Sequence, residues 1–305
     1  MKMKILTIAT SKNLMRATQW QRMDQGWVAT GEHEGEGPGG LSGVILDGVD
    51  LILASGAIAS GELALTVPGG LFELAAAMVS SSLPETGDRP VWLIPGVRTL
   101  CSDIGLHNSE AMDRMAGEET AAIGLIDSLK LQDEAIAVFA GSRTRFVRLD
   151  REQRIAGSAA SMSTELFEAL CAMTGGQGEA DEPLDAEMLA TGARYGRDFG
   201  LGRIAVLVRQ LEHYCPYGHA QRISFLLGAV LGADLQTLKN SRALRINPAS
   251  RFVIAGEPRF AEAFRLLIAD DGFFSGPLSV VAETQASLAG WGALALARAR
   301  GLIPS

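Results

Sequence analysis

The sequence predicts an α/β fold. Three observations carry that expectation: short apolar runs that each stop at a glycine, helical stretches lying between them, and a composition able to fill a core. Of the 305 residues, 47% are hydrophobic and 20% charged, which argues against general disorder. The length suits two domains of ordinary size or one large one.

The elements follow in order. Lys4 to Ala9 reads as a buried first strand, with Ser11-Lys12-Asn13 as the turn after it. Gly31 to Gly43 carries six glycines, one proline and three glutamates and reads as a mobile loop. Val49 to Gly56 is a second buried strand. Val91 to Gly96 repeats its shape, and Pro95-Gly96 stops it because proline cannot donate to a ladder. Gly117 to Lys130 reads as a helix whose first turn holds Glu118 and Glu119, where carboxylates suit the helix dipole. Ala135 to Ser142 is again strand then glycine turn, with Phe146 to Asp150 as its hairpin partner, and Gly175 to Asp185 is a Gly- and acid-rich loop.

From Leu184 onward the pattern is mostly helical. In Gln221 to Leu238, Gly228 and Gly232 lie four apart, a spacing that means close packing on a neighbouring element. Arg251 to Gly256 is a further strand and Ala286 to Arg300 a closing helix. No short exact repeat is present, but the strand-then-turn shape of Ile5 to Asn13 returns at Ile136 to Arg145.

Charge and cysteine usage exclude several classes. Lys+Arg number 27 against 35 Asp+Glu, a net charge of -8, so no broad basic surface forms and a nucleic-acid partner is not expected. An anionic small substrate needs only a few local arginines. Cys101, Cys171 and Cys215 are odd in number and far apart, without a CxxC pair, and read as inert core thiols. The four histidines form no HxxxH or HExxH spacing, so no metal ligands are assigned. The N-terminal apolar run is too short for a signal peptide, and the longest apolar stretch, Phe225 to Ala233, is far short of a membrane span. A cytoplasmic protein without a membrane partner is expected.

Two stretches are the most specific in the chain. One is Trp92-Leu93-Ile94-Pro95-Gly96-Val97. The other is Asp113-Arg114-Met115-Ala116-Gly117-Glu118-Glu119-Thr120, close to a signature Asp-x-Met-Arg-Gly-Glu-Glu-Thr with Ala116 as the interior change. Together with Met162 to Phe167, Phe225 to Ala233 and Ala255-Gly256-Glu257-Pro258, they make the chain resemble the 2-dehydro-3-deoxygalactonokinases over nearly its whole length. These are sugar-acid kinases of the actin/hexokinase/Hsp70-like superfamily.

The resemblance implies two ribonuclease-H-like (actin-like ATPase) domains, residues 1–112 and residues 113–305 with added helices, separated by a cleft. It implies ATP and Mg2+ as cofactors and a small-molecule sugar acid as partner. The reaction would be γ-phosphoryl transfer to the 6-hydroxyl of 2-dehydro-3-deoxy-galactonate in galactonate catabolism, with a homodimer as the assembly. Carried onto this sequence, Glu118, Glu119 and Asp113 are the catalytic candidates. Ser11, Lys12 and Asn13 form the first phosphate loop and Gly141 and Ser142 the second, with Gly256 near adenine. Ser60, Arg16 and Arg143 fall on the substrate side.

The departures are specific. Ile8 stands where the first loop of the family carries a Mg2+-holding Asp, and Thr10 where it carries Gly; Arg16 follows one residue late. Lys12 can neutralise phosphate as a point charge but cannot hold a metal. The second loop brings in Arg143 and Arg145, which strand alternation places on one face apart from Arg148. A catalytically impaired kinase-fold protein that binds or senses a sugar acid or nucleotide is therefore the alternative reading. Plain structural readings also stay open: dipole pairing for Glu118 and Glu119, a hairpin turn at Gly141, a β-to-α turn at Gly256, and a solvated edge for the arginines.

Overall fold

Two pairs of parallel strands organise the computed structural model, which describes residues 3–10, 14–24, 26–36, 46, 48–56, 64–82, 86, 89–100, 103, 105–141, 143–174 and 182–304. The chain begins with β1 (Lys4–Thr10), β2 (Leu14–Met23), β3 (Gly26–Glu36), β4 (Leu51–Gly56), β5 (Ala64–Thr66), α1 (Leu71–Ala77), β6 (Val79–Ser81), β7 (Val91–Leu93), β8 (Gly96–Thr99), β9 (Asp113–Met115) and α2 (Glu118–Leu129). It continues through β10 (Ala135–Ala140), β11 (Thr144–Leu149), β12 (Ile155–Ser161), α3 (Ser163–Thr174), α4 (Ala186–Phe199), α5 (Leu201–Tyr214) and α6 (His219–Asn240). It ends with β13 (Phe252–Gly256), α7 (Pro258–Asp270), β14 (Leu278–Val280) and α8 (Gln285–Ala299). The α/β class read from the sequence is the class observed.

One compact unit holds Met1–Glu134, Leu149–Ser158 and Gln285–Ser305; the other holds Ala135–Arg148 and Ala159–Thr284. They differ from the contiguous 1–112 and 113–305 of the sequence reading. Residues 113–134 cluster with the first unit because α8 returns at the end of the chain to pack on both α2 and β1.

In the first unit a six-stranded sheet runs β3-β2-β1-β4-β7-β6. β1 is antiparallel to β2 and parallel to β4. Its alternating side chains serve two layers. Leu6 and Ile8 join a core with Met15, Ala17, Ile52 and Ala54. On the α8 side, the Thr7 hydroxyl accepts a hydrogen bond from Trp20 Nε1 at 2.9 Å, and the Trp20 ring meets Trp291 edge-on at 4.7 Å between centroids. Trp20 is thus a packing residue.

The loop expected from Gly31 to Gly43 is in part strand. Residues 31–36 continue β3 in register with β2, Glu34 lying opposite Arg16. β3 is an edge strand, and an edge accommodates glycine and charge that a central strand would not; residues 37–43 lie outside the described set. The expected run Val91 to Gly96 divides at Pro95: β7 stays in the six-stranded sheet, while β8 enters a second sheet of order β5-β8-β9.

The remaining sheet runs β12-β11-β10-β13-β14, with β10 and β13 parallel. It repeats the plan of the first: three consecutive antiparallel strands, then a parallel strand laid beside the first of them. The echo between Ile5 and Ile136 in the sequence is therefore one of topology. Beneath this sheet α6 packs on α4 at backbone distance. A Cβ on Gly228 would lie 1.9 Å from the Leu189 carbonyl oxygen, and one on Gly232 would lie 3.0 Å from Ala193 Cα, as their spacing predicts.

Candidate functional site

In the first unit the carboxyl ends of β1 and β4 meet the start of α2. Thr10 and Gly56 are register partners. Gly56 has φ +88°, and a Cβ there would fall 1.9 Å from the Thr10 carbonyl oxygen, so only glycine fits. Gly117, the N-cap of α2, comes up against the same point: its Cβ position is 3.4 Å from Gly56 Cα and 3.5 Å from Thr10 O. The Thr10 hydroxyl donates to Ser55 O at 3.1 Å.

Both signature glutamates turn back onto their own helix start. Glu119 is fully buried, and its two carboxyl oxygens accept from Gly117 N at 2.9 and 2.7 Å. Burial, with the adjacent Glu118 charge behind it, pushes its pKa up to about 7 against the pull of these hydrogen bonds. Glu118 is half-buried and accepts from Ala116 N at 3.0 Å. Asp113 stands apart from them. It lines a cavity of about 490 Å3 over the β5-β8-β9 sheet together with Arg98, Thr99 and Arg114.

The family's metal position is filled differently. Ile8 is 1% exposed in the apolar core, and the space bordered by Ile8, Arg16 and Ser55 amounts to about 10 Å3. Arg16 forms an ion pair with Glu34 on the neighbouring strand. Among the described residues no group of three or more His, Cys, Asp or Glu side chains converges. Among the described residues bordering that space none is a carboxylate that could hold Mg2+.

The second unit repeats the strand-end geometry. Ala140 and Gly256 are register partners on β10 and β13, Gly256 has φ +128°, and its Cβ would lie 1.9 Å from Ala140 O. Glu257 N donates to that carbonyl at 2.6 Å, and α7 starts at once with Pro258. This brings Gly141 and Gly256 to adjacent strand ends.

The arginines expected on one strand face separate. Arg143 lies in the turn before β11, 4.0 Å from Glu165. Arg145 is buried, 3% exposed, and is not a solvated edge. Arg148 donates from Nε to Ala243 O at 3.2 Å.

Two groups of residues escaped the sequence reading. Asp234 on α6 is 2% exposed. Burial raises its pKa to about 6, opposed by hydrogen bonds from the Ser161 and Ser163 hydroxyls, and the Ser163 and Thr144 hydroxyl oxygens are 2.9 Å apart. The available signal was a lone carboxylate on the buried face directly after the quoted Phe225 to Ala233 run. Arg98 and Arg114 are the others, each bordering or lying within a stretch already singled out. Cys171 is buried, with its thiol pushed up to about 11 chiefly by that burial, in line with an inert core thiol. Ser11, Lys12, Asn13, Ser60 and Ser142 lie outside the described residues, as does Cys101. Among the described residues no helix is long and apolar enough to cross a membrane.

Comparison with known proteins bears on the whole chain. No curated protein matches it at a significant level. Its structure is similar to that of a Sinorhizobium meliloti protein provisionally described as a 2-dehydro-3-deoxygalactonokinase, at 17% identity and TM-score 0.72, covering 99% of this chain and 100% of that one. It is also similar to component A of (R)-2-hydroxyglutaryl-CoA dehydratase from Acidaminococcus fermentans (11% identity, TM-score 0.53, 97% and 99% covered). A third match is the activator of the 2-hydroxyisocaproyl-CoA dehydratase from Clostridium difficile, solved with bound ADPNP (10% identity, TM-score 0.51, 99% and 97% covered). At these identities the likenesses establish the fold alone, an α/β architecture shared over nearly the whole chain. The family model for 2-keto-3-deoxy-galactonokinase matches residues 49–293, and with most of the sequence so matched, the chain belongs to the 2-keto-3-deoxy-galactonokinase family.

Proposed function

We propose that this protein is an ATP-dependent sugar-acid kinase of the cytoplasm that phosphorylates the 6-hydroxyl of 2-dehydro-3-deoxy-galactonate in galactonate breakdown. The observation that carries this reading is the doubled strand end. In each unit a parallel pair finishes on a positive-φ glycine pressed against its neighbour's last carbonyl, and open α/β sheets bind ligands at the carboxyl ends of such strands. In this reading Gly141, Ser142 and Gly256 are nucleotide-binding residues, and Ser11, Lys12 and Asn13 are phosphate-binding residues with Lys12 as a point charge. Ser60 and Arg143 remain substrate-side residues, whereas the Arg16 charge is already matched by Glu34.

Asp113 is the general base in this proposal. Glu119 and Glu118 accept hydrogen bonds from backbone N–H groups of their own helix start, and Asp113 borders a cavity of about 490 Å3. Its carboxylate accepts the proton of the 6-hydroxyl as the new O–P bond forms; the bond from the γ-phosphorus to the bridging oxygen breaks and ADP leaves.

The test is sugar-acid-dependent ADP release in a coupled assay against a panel of 2-keto-3-deoxy sugar acids. The wild type is expected to turn over 2-dehydro-3-deoxy-galactonate, with Asp113→Asn slower by at least about a hundredfold. Burial of Ile8 at the family's carboxylate position favours a second reading, a protein that binds the acid or nucleotide without reaction. Calorimetric binding with no ADP release in the wild type would establish that reading instead.

A further inference from the structure

Asp234 sits where an apolar residue would cost less. Among the described residues that α6 buries it is the charged one. Burying a carboxylate is expensive, and a well-packed apolar replacement is often the more stable choice. Its Oδ2 has no hydrogen-bond partner among the described residues, which adds to that cost. What the position gains is direction.

Ser161 ends β12 and Ser163 opens α3, and both hydroxyls hydrogen-bond to the Asp234 carboxyl group. The Ser163 and Thr144 hydroxyl oxygens are 2.9 Å apart. Thr144 is buried and is the first residue of β11, directly after the turn that begins at Gly141. All four residues belong to one unit. An ionised carboxylate accepts hydrogen bonds and cannot donate one. The single Ser163 proton therefore goes to Asp234, and the Ser163 oxygen accepts the Thr144 proton. The carboxylate so orders two hydroxyl rotors in series, and bonds aligned in this way reinforce one another.

The chain of hydroxyls ends at a strand end already described. Ala140, the last residue of β10, is the register partner of Gly256, and the turn leaves the sheet there. α3 adds a second, weaker tie to the same turn, with Glu165 lying 4.0 Å from Arg143. We propose that Asp234 is a positioning residue for the nucleotide: through Ser163 and Thr144 it fixes the start of β11, and with it the β10–β11 turn. The nucleotide at this turn rests on the kinase reading; the coupling of Asp234 to the turn does not.

The experiment compares full-length Ser163→Ala, Thr144→Val and Asp234→Asn with wild type at pH 8. One readout is amide hydrogen exchange without ligand; the other is calorimetric titration with ATP in magnesium-containing buffer. Exchange over residues 141–147 should be roughly tenfold faster in each variant, with residues 51–56 unchanged. ATP affinity should fall roughly tenfold in Ser163→Ala and Thr144→Val. The fall should be smaller in Asp234→Asn, whose amide oxygen still accepts one bond. The Ser163→Ala/Thr144→Val double variant should lose no more than either single one, because both break the same chain. Thr144→Ser, which restores the hydroxyl, should recover wild-type affinity. Asp234→Asn should meanwhile melt above wild type, whereas a merely structural role would lower stability and affinity together.

Exchange unchanged over residues 141–147 in the folded variants overturns the proposal. So does a double variant whose loss is the product of the single losses. ATP bound equally by wild type and variants overturns it and leaves the kinase reading intact. A wild type that binds no ATP overturns the nucleotide role together with the kinase reading. Should Ser163→Ala not fold, Thr144→Val against Thr144→Ser decides the question.

Discussion

The ends of β1 and β4 in one unit and of β10 and β13 in the other use the same backbone device with different surroundings. At both, a positive-φ glycine lies where its Cβ would be 1.9 Å from the neighbouring strand's terminal carbonyl oxygen. Around Gly56 that point is closed by a residue far along the chain, Gly117, whose N–H is held by the buried Glu119 carboxyl group. Around Gly256 it is closed locally, by the Glu257 N–H and the immediate start of α7. The shared part is a backbone requirement: only glycine fits at either strand end. The divergent part, the placing of acids and arginines, is where the two units acquire separate roles.

The largest expected effect breaks the shared part. Gly56→Ala and Gly256→Ala each force an L side chain into a left-handed backbone and against a main-chain oxygen that cannot swing away. Each should destabilise the protein by more than about 3 kcal/mol, read as a lowered thermal unfolding midpoint. Comparable losses support the equivalence of the two ends; a mild loss at one end alone would break it.

The next effect comes from the buried acids, one per unit. The folded pKa of Glu119, about 7, lies above its ordinary 4.5, so the folded state holds the extra proton between those values. Stability contributed by this group is complete below about pH 4.5 and is lost as pH rises through 7. The loss is on the order of 3 kcal/mol. Glu119→Gln should therefore match wild type near pH 4.5 and exceed it in stability at pH 8. Asp234, raised from 3.8 to about 6, behaves with the same sign over a lower and somewhat narrower window, so Asp234→Asn should gain its advantage by pH 7. Denaturant titrations at these pH values test both. A wild type whose stability difference from Glu119→Gln does not change with pH would show that the carboxyl group is not held protonated.

Much of this plan was legible because it is written in local signals. An apolar run ending at Ser11-Lys12-Asn13 marked β1, apolar runs closed by glycine marked β4, β10 and β13, and Gly117 and Lys130 bracketed α2 to the residue. β2 and β3 were not seen: their sequences mix Arg, Gln, Glu and Gly, and it is pairing with β1 rather than composition that makes them strands. The discontinuous units were hidden too, since nothing in the apolar pattern of α8 says that it packs on β1. At the site, family motifs located Asp113, Glu118 and Glu119, but only the hydrogen bonds show that Glu118 and Glu119 cap their own helix start. Arg98 and Arg114 are sixteen positions apart in number and become neighbours through strand register alone.

The smallest effect separates a surface arginine from the machinery. Arg143 was singled out as a phosphate or substrate ligand, yet its side chain is 39% exposed and 4.0 Å from Glu165. An ion pair so exposed and so long contributes under about 1 kcal/mol, and less at high salt. Arg143→Gln should therefore leave the unfolding midpoint nearly unchanged, and an effect of that substitution on acid-dependent ADP release would come from contact with a ligand. If turnover is also unchanged, the Arg143 side chain has no part in the reaction, and any contribution of the Gly141 turn comes from its backbone. A midpoint lowered by several degrees would instead mean that Arg143 anchors the β10–β11 turn on α3, and its loss of activity would then carry no information about the ligand.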